Sequence, residues 1–175
     1  MAEEPSDTRR FGAVMIILTW IAIIGLITVA FTDVLKRQEN PNQTVVSQTG
    51  ADGVRAVILE RNRFGQYLAN GEINGRSVRF LVDTGATAVA LSDELAGDLG
   101  LRRGQPVRIS TANGQVLAHR TRLDAVGLGD LVIHNVEAII NPGQDGGDVL
   151  LGMSFLEQTE FTQRGKTLII KPMRP

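Results

Sequence analysis

Cysteine is absent from this chain of 175 residues, which excludes disulfides, thiolate metal sites and a cysteine nucleophile together and leaves the redox compartment open. Histidine is almost as scarce. The two imidazoles, His119 and His134, sit in no spaced metal motif, so each reads as an ordinary strand residue and no metal or other cofactor is expected. Aromatic residues make up only 5%, which leaves Val, Leu and Ile to fill the core. Neither sign of charge is in excess: 18 Lys and Arg stand against 19 Asp and Glu, which removes the electrostatic case for a nucleic acid partner. Internal repeats and long single-sign charge runs are missing too. What the chain has instead is 43% hydrophobic residues and 19 glycines, the composition of a turn-rich β protein.

One long apolar run stands apart. Residues 11–31, "FGAVMIILTWIAIIGLITVAF", carry no formal charge and would span roughly 30 Å as a helix, the thickness of a bilayer core. A cleaved signal peptide has a shorter apolar region of about 7 to 15 residues ending in a small-x-small site. "TVAFTD" matches that poorly, so an uncleaved transmembrane helix over 11–31 is expected. Arg9 and Arg10 precede the run while Lys36 and Arg37 follow it, so the nearest charges give no orientation. Residues 1–10 form a short tail. Residues 32–53, polar and turn-prone around Pro41, read as a flexible linker, and "NQT" at Asn42 fits a glycosylation sequon that would matter only in a eukaryotic secretory pathway.

From residue 54 to 175 short β runs alternate with glycine turns. "VRAVILE" and "QYLANGEI" are candidate strands, and "NG" at Asn74 and Gly75 predicts a two-residue hairpin into "RSVRFLV". That strand delivers the chain to Asp83, a lone acid carried out of an apolar run into "DTGATAVALS". Taken alone, Asp83 could be a turn former. Ser92 is a plausible cap for a short helix that ends at Gly100. "PVRIST" and "QVLAHRTRLDAVGL" flank a hairpin tip at Ala112, Asn113 and Gly114, "LVIHNVEAII" is another strand, and "NPGQDGG" is a loop. Val149 to Leu151 form an apolar run ending at Gly152. Ser154 can cap a short helical turn there, and "RGK" joins a last pair of strands.

The ordered set "LVDTGATAVAL", a glycine-tipped hairpin and "VLLGMSFL" resembles the retropepsin-like aspartic proteases. More narrowly, it is similar to their bacterial membrane-anchored branch with a single "DTGA" domain. The resemblance spans roughly residues 55 to 172 and implies an all-β, single-domain acid-protease barrel with one or two short helices, preceded by the transmembrane helix. It implies Asp83 as the catalytic carboxylate. Such chemistry needs two carboxylates sharing a proton, so a chain with one motif implies a homodimer in which two copies of Asp83 meet at a two-fold axis. By the same resemblance Thr84, Gly85, Ala86 and Gly152 support the catalytic loop. Thr84 would reach across the axis, Ala86 stands where many relatives carry serine, and Gly152 lies against the loop. Thr111, Ala112, Asn113 and Gly114 would belong to a flap closing over a protein or peptide substrate bound as an extended strand. The family's location implies a bacterial inner membrane protein, single pass, with the C-terminal domain in the periplasm.

Two other readings use the same residues. "FLVDTGAT" is also similar to the phosphate motif of the actin, Hsp70 and sugar-kinase superfamily, but those proteins need two large α/β lobes that about 120 mostly β residues cannot supply. A non-catalytic, membrane-tethered domain that captures extended peptides without completing a dyad is the stronger rival.

Overall fold

The computed structural model describes residues 7–50, 53–111, 114–144 and 147–173, and the chain divides into two compact units, Met1–Gln38 and Glu39–Pro175. Helix α1 (Asp7–Glu39) accounts for the first. Its apolar side chains, among them Ile16, Trp20, Ile24 and Phe31, are exposed around the whole circumference. The hydroxyls of Thr19 and Thr28 donate to the carbonyls of Met15 and Ile24, each at 2.8 Å, so these polar groups are satisfied within the helix itself.

Residues 32–53 differ from the expected flexible linker. Helix α1 continues to Glu39, and β1 (Val46–Thr49) pairs antiparallel with β2 (Arg55–Glu60). Between them Asn42 is 4% exposed, and its amide joins two strands: Nδ2 donates to the carbonyls of Glu60 at 2.9 Å and Leu68 at 2.6 Å, while Oδ1 accepts from Glu60 N at 2.7 Å. Asn40 and Asn70 extend this network through a bond of 2.9 Å. The stretch "ENPNQ" reads as coil because its partners are backbone groups far away in sequence. With both ends of its amide occupied, Asn42 is also closed to glycosylation in the folded chain. Asn42→Ala strands two carbonyls and an N–H, and is expected to cost about 3 kcal/mol. A thermal melt should read this as a Tm lower by roughly 10 °C, whereas an unchanged Tm would mean that the network is ornamental.

Among the described residues the strands form two sheets. The four-stranded sheet has the order β1-β2-β11-β10, with β10 (Thr159–Arg164) and β11 (Thr167–Pro172) forming the hairpin expected at "RGK". The larger sheet has the order β3-β4-β9-β5-β8-β7-β6, and an additional β3–β7 pairing curls it into a barrel. Its strands are β3 (Leu68–Ile73), β4 (Arg76–Val82), β5 (Val89–Ser92), β6 (Pro106–Thr111), β7 (Gly114–Leu128), β8 (Leu131–Asn141) and β9 (Asp148–Leu151). Closure depends on Gly71, where a Cβ would lie 2.4 Å from the Gly127 carbonyl and 2.6 Å from the Phe80 ring.

The local signals mostly act as expected. Asn74 and Gly75 both take positive φ, 51° and 78°, in the β3–β4 turn, as a type I′ hairpin requires. Ser92 Oγ accepts from Leu95 N at 3.2 Å and caps α2 (Asp93–Asp98), and Gly100 at φ 67° follows its end. The core is mostly Leu, Val and Ile with Phe80 and the Phe155 of α3 (Met153–Leu156), and it draws on both sheets, Leu59 and Ile170 coming from the four-stranded one. The fold is mostly β with few short helices, as the sequence predicts.

Candidate active site

The site begins with a ladder. Strands β4 and β9 run parallel in the register Phe80↔Val149, Leu81↔Leu150 and Val82↔Leu151. Asp83 and Gly152 therefore leave the sheet side by side, although 69 residues separate them in sequence. Asp83 N donates to Leu151 O at 3.2 Å, and the turn that follows folds over the end of β9.

Within the turn, one carboxylate oxygen of Asp83 accepts from Gly85 N at 2.9 Å, and Ala86 N donates to Asp83 O at 3.2 Å. The carboxylate thus organises its own loop. A Cβ at Gly85 would stand 3.2 Å from that carboxylate oxygen, so glycine leaves the acid unobstructed. Asp83 is half-buried while Thr84 and Gly85 are exposed. Among the described residues Thr84 has no side-chain hydrogen bond.

Gly152 is packed harder than a supporting role alone would suggest. A Cβ there would lie 2.3 Å from Ala88 O and 2.8 Å from Ala86 O, both backbone atoms. Met153 N donates to Ala86 O at 2.8 Å and Ser154 N to Thr87 O at 3.2 Å, so the start of α3 grips the far side of the turn.

Ser154 departs from expectation. Gly152 occupies the N-cap position of α3 with no side-chain cap bond, and Ser154 Oγ instead accepts from Val89 N at 3.0 Å and donates to Glu137 O at 2.7 Å. It ties β5 to β8 under the D-T-G-A turn. A serine two residues after the "LLG" run offers no local sign of this, because both partners come from other strands.

A second feature escaped the sequence reading. Arg79 in β4 donates to Asp148 at the start of β9 through two nitrogens and lies 3.2 Å from Glu39. Asp148 and Glu39 hold the Arg79 guanidinium above its ordinary pKa against the opposing effect of burial, the hydrogen bond to Asp148 being the largest cause. The pair locks the register of the two strands that carry Asp83 and Gly152, because Arg79 and Asp148 are direct ladder partners.

The expected flap is a hairpin of β6 and β7 with Thr111 paired to Gly114. Thr111 Oγ1 donates to Gly114 O at 2.9 Å, and Gly114 takes φ 112° as the first residue of β7. Ala112 and Asn113 lie outside the described residues. His119 and His134 both fall in strands, and among the described residues no group of three or more His, Cys, Asp or Glu could hold a metal ion.

Residues 69–158 match the family described as "gag-polyprotein putative aspartyl protease". The chain belongs to the retropepsin-like aspartic proteases. It is 33% identical to a retropepsin-like aspartic protease from Rickettsia conorii whose crystal structure superposes with a TM-score of 0.55, covering 65% of this chain and 97% of that one. Two curated bacterial relatives of uncharacterised function are also similar. One from Sinorhizobium sp. is 31% identical over 118 residues, 66% of this chain. The other, from Rickettsia prowazekii (strain Madrid E), is 34% identical over 121 residues, 67% of this chain. The chain spans about half the length of these two relatives, 51% in each case. As a family member it carries the D-T-G-A turn and the "LLG" run within the matched stretch, on the paired ends of β4 and β9.

Proposed function

We propose that this chain is an aspartic endopeptidase that works as a homodimer, with one Asp83 from each protomer forming the catalytic dyad. The observation that carries this reading is the half-buried Asp83 carboxylate at the tip of a turn seated on Gly152, with the exposed Thr84 hydroxyl beside it. A single carboxylate cannot both take a proton from water and donate to the scissile carbonyl. Two that share one proton can. In the dimer the ionised Asp83 removes a proton from the attacking water while its protonated counterpart hydrogen-bonds the peptide oxygen. Collapse of the tetrahedral intermediate then sends a proton to the leaving nitrogen. Thr84, without an intramolecular partner among the described residues, is available to bond the opposite turn. The substrate lies as an extended strand under the hairpin of β6 and β7, contacted around Thr111 and Gly114.

The free edge of β10 supplies a self-complementary seam. It ends the four-stranded sheet, with five of its six residues exposed and Phe161 at 38%. Glu160 and Arg164 make no ion pair among the described residues. An antiparallel β10–β10 pairing centred on Thr162 sets Glu160 opposite Arg164 of the partner subunit, twice by symmetry. Glu160→Arg or Arg164→Glu alone should therefore weaken dimerisation about tenfold, and the double swap should restore it. Sedimentation of the three variants reads this directly, and a double swap no better than either single change argues against this seam.

Residues 11–31 tether the protein to a membrane as a single span, the even apolar surface of α1 being what a lipid-facing helix needs. Confinement to a surface raises the effective concentration of protomers. Both curated relatives are bacterial, and we place the C-terminal domain in the periplasm of a bacterial inner membrane. Incubating the full chain in neutral detergent with a peptide library, beside its Asp83→Asn variant, tests the activity. A chain that stays monomeric at high concentration and shows no Asp83-dependent cleavage is instead a tethered peptide-binding domain.

A further inference from the structure

A groove of about 920 Å³ starts at Thr87 and Ala88, immediately beyond the D-T-G-A turn, and runs between the loop 99–104 and strands β7 and β8. Its wall is fixed rather than draped. Gly104 N donates to Arg120 O at 2.8 Å and a Cβ at Gly104 would lie 2.6 Å from that oxygen, so the loop is pressed against β7 where Arg120 sits. Arg120 also follows His119, which pairs with Pro106 at the base of the β6–β7 hairpin. The groove therefore joins the catalytic turn to the foot of the hairpin.

Its charges are unevenly matched. Arg122 and Glu137 face each other across the β7–β8 ladder at 3.9 Å and answer one another. Asp124 lines the groove as well. Arg102 and Arg120 have no carboxylate partner among the described residues, although the neighbouring Arg103 is paired with Asp93. Two guanidiniums thus line a channel that begins at Thr87, four positions after Asp83 in the chain, each a planar donor fork suited to carboxylate.

We infer that Arg102 and Arg120 make this groove a selector for acidic side chains, so that preferred substrates carry Asp or Glu a few residues from the scissile bond. The inference rests on the protease reading of Asp83. An extended peptide presents side chains to one face at every second residue, about 7 Å apart, so its outer positions pass the groove while the scissile bond lies at Asp83. In a symmetric dimer each protomer contributes one groove, and acidic residues are favoured on both flanks.

The test compares kcat/KM of the full chain in neutral detergent for two peptide series. They share one cleaved core and carry either Glu or Lys two to four residues out. Glu-flanked peptides should be favoured by about tenfold at low salt, with the gap narrowing at 1 M salt as screening shortens to about 3 Å. The double variant Arg102→Glu/Arg120→Glu should reverse the preference, and Arg102→Lys/Arg120→Lys should retain most of it. Equal rates for both series, with cleavage still lost in Asp83→Asn, overturn the selector and leave the protease reading intact. Retention of the Glu preference in the charge-reversed variant overturns it as well. Absence of any Asp83-dependent cleavage overturns both.

Discussion

Asp83→Asn should lower kcat/KM for any cleaved peptide by about 10³-fold or more, the scale of a general acid–base contribution removed from both halves of a dyad. Folding should survive. Among the described residues the one hydrogen bond that the carboxylate accepts comes from Gly85 N, and an asparagine Oδ1 of the same shape can accept it. Dimerisation should be unimpaired or tighter, because two neutral amides can meet at the axis without the negative charge that a dyad sharing one proton must hold there. The informative comparison is thus three measurements on one variant: peptide cleavage, Tm and sedimentation. Lost cleavage with unchanged Tm and an intact dimer assigns Asp83 to chemistry. Cleavage that persists in the variant sinks the aspartic mechanism. A variant that unfolds would show that the Asp83 carboxylate is structural first, contrary to the isosteric argument.

The legibility of this chain follows the range of its interactions. Strands were readable because alternation, glycine turns and the Asn74–Gly75 hairpin are local, and the cap at Ser92 acts over three residues. The pairing of the two runs at the candidate site is readable only through their resemblance to a family, since nothing in "FLVDTGA" or "VLLG" alone says that they lie side by side. Their parallel register places Phe80 beside Val149 and Val82 beside Leu151, a contact between residues 69 apart. What stayed hidden is of the same kind. Asn42 reads as linker because its side-chain amide bonds backbone groups of Glu60 and Leu68, far away in sequence, and Ser154 reads as a cap because its true partners, Val89 and Glu137, lie on other strands. Polar side chains that bridge elements have no periodicity to betray them. The cost of misreading them is a misplaced boundary: the compact unit starts at Glu39, ahead of the strand at which the composition changes.

Gly152→Ala is expected to be the most damaging single methyl in the domain. The added Cβ would stand 2.3 Å from Ala88 O and 2.7 Å from Ala88 C, backbone atoms that no rotamer change can move aside. Either β9 withdraws from β4 or the D-T-G-A turn lifts. Withdrawal loosens Asp83 N from Leu151 O, and lifting breaks the bond from Met153 N to Ala86 O. Overpacking of this kind costs roughly 3 kcal/mol, a Tm lower by roughly 10 °C. The folded fraction should also be slow, because displacing a catalytic group by about 1 Å costs on the order of 10²-fold. Gly97 in α2 is the internal control, since a Cβ there meets nothing within 4 Å and alanine favours the helix by about 0.5 to 1 kcal/mol. Gly97→Ala should therefore hold or raise Tm with full activity, while Gly152→Ala loses both. Equal behaviour of the two variants would mean that the close approach of Gly152 to the turn is not what holds Asp83 in place, and that the apolar run before it serves the core alone.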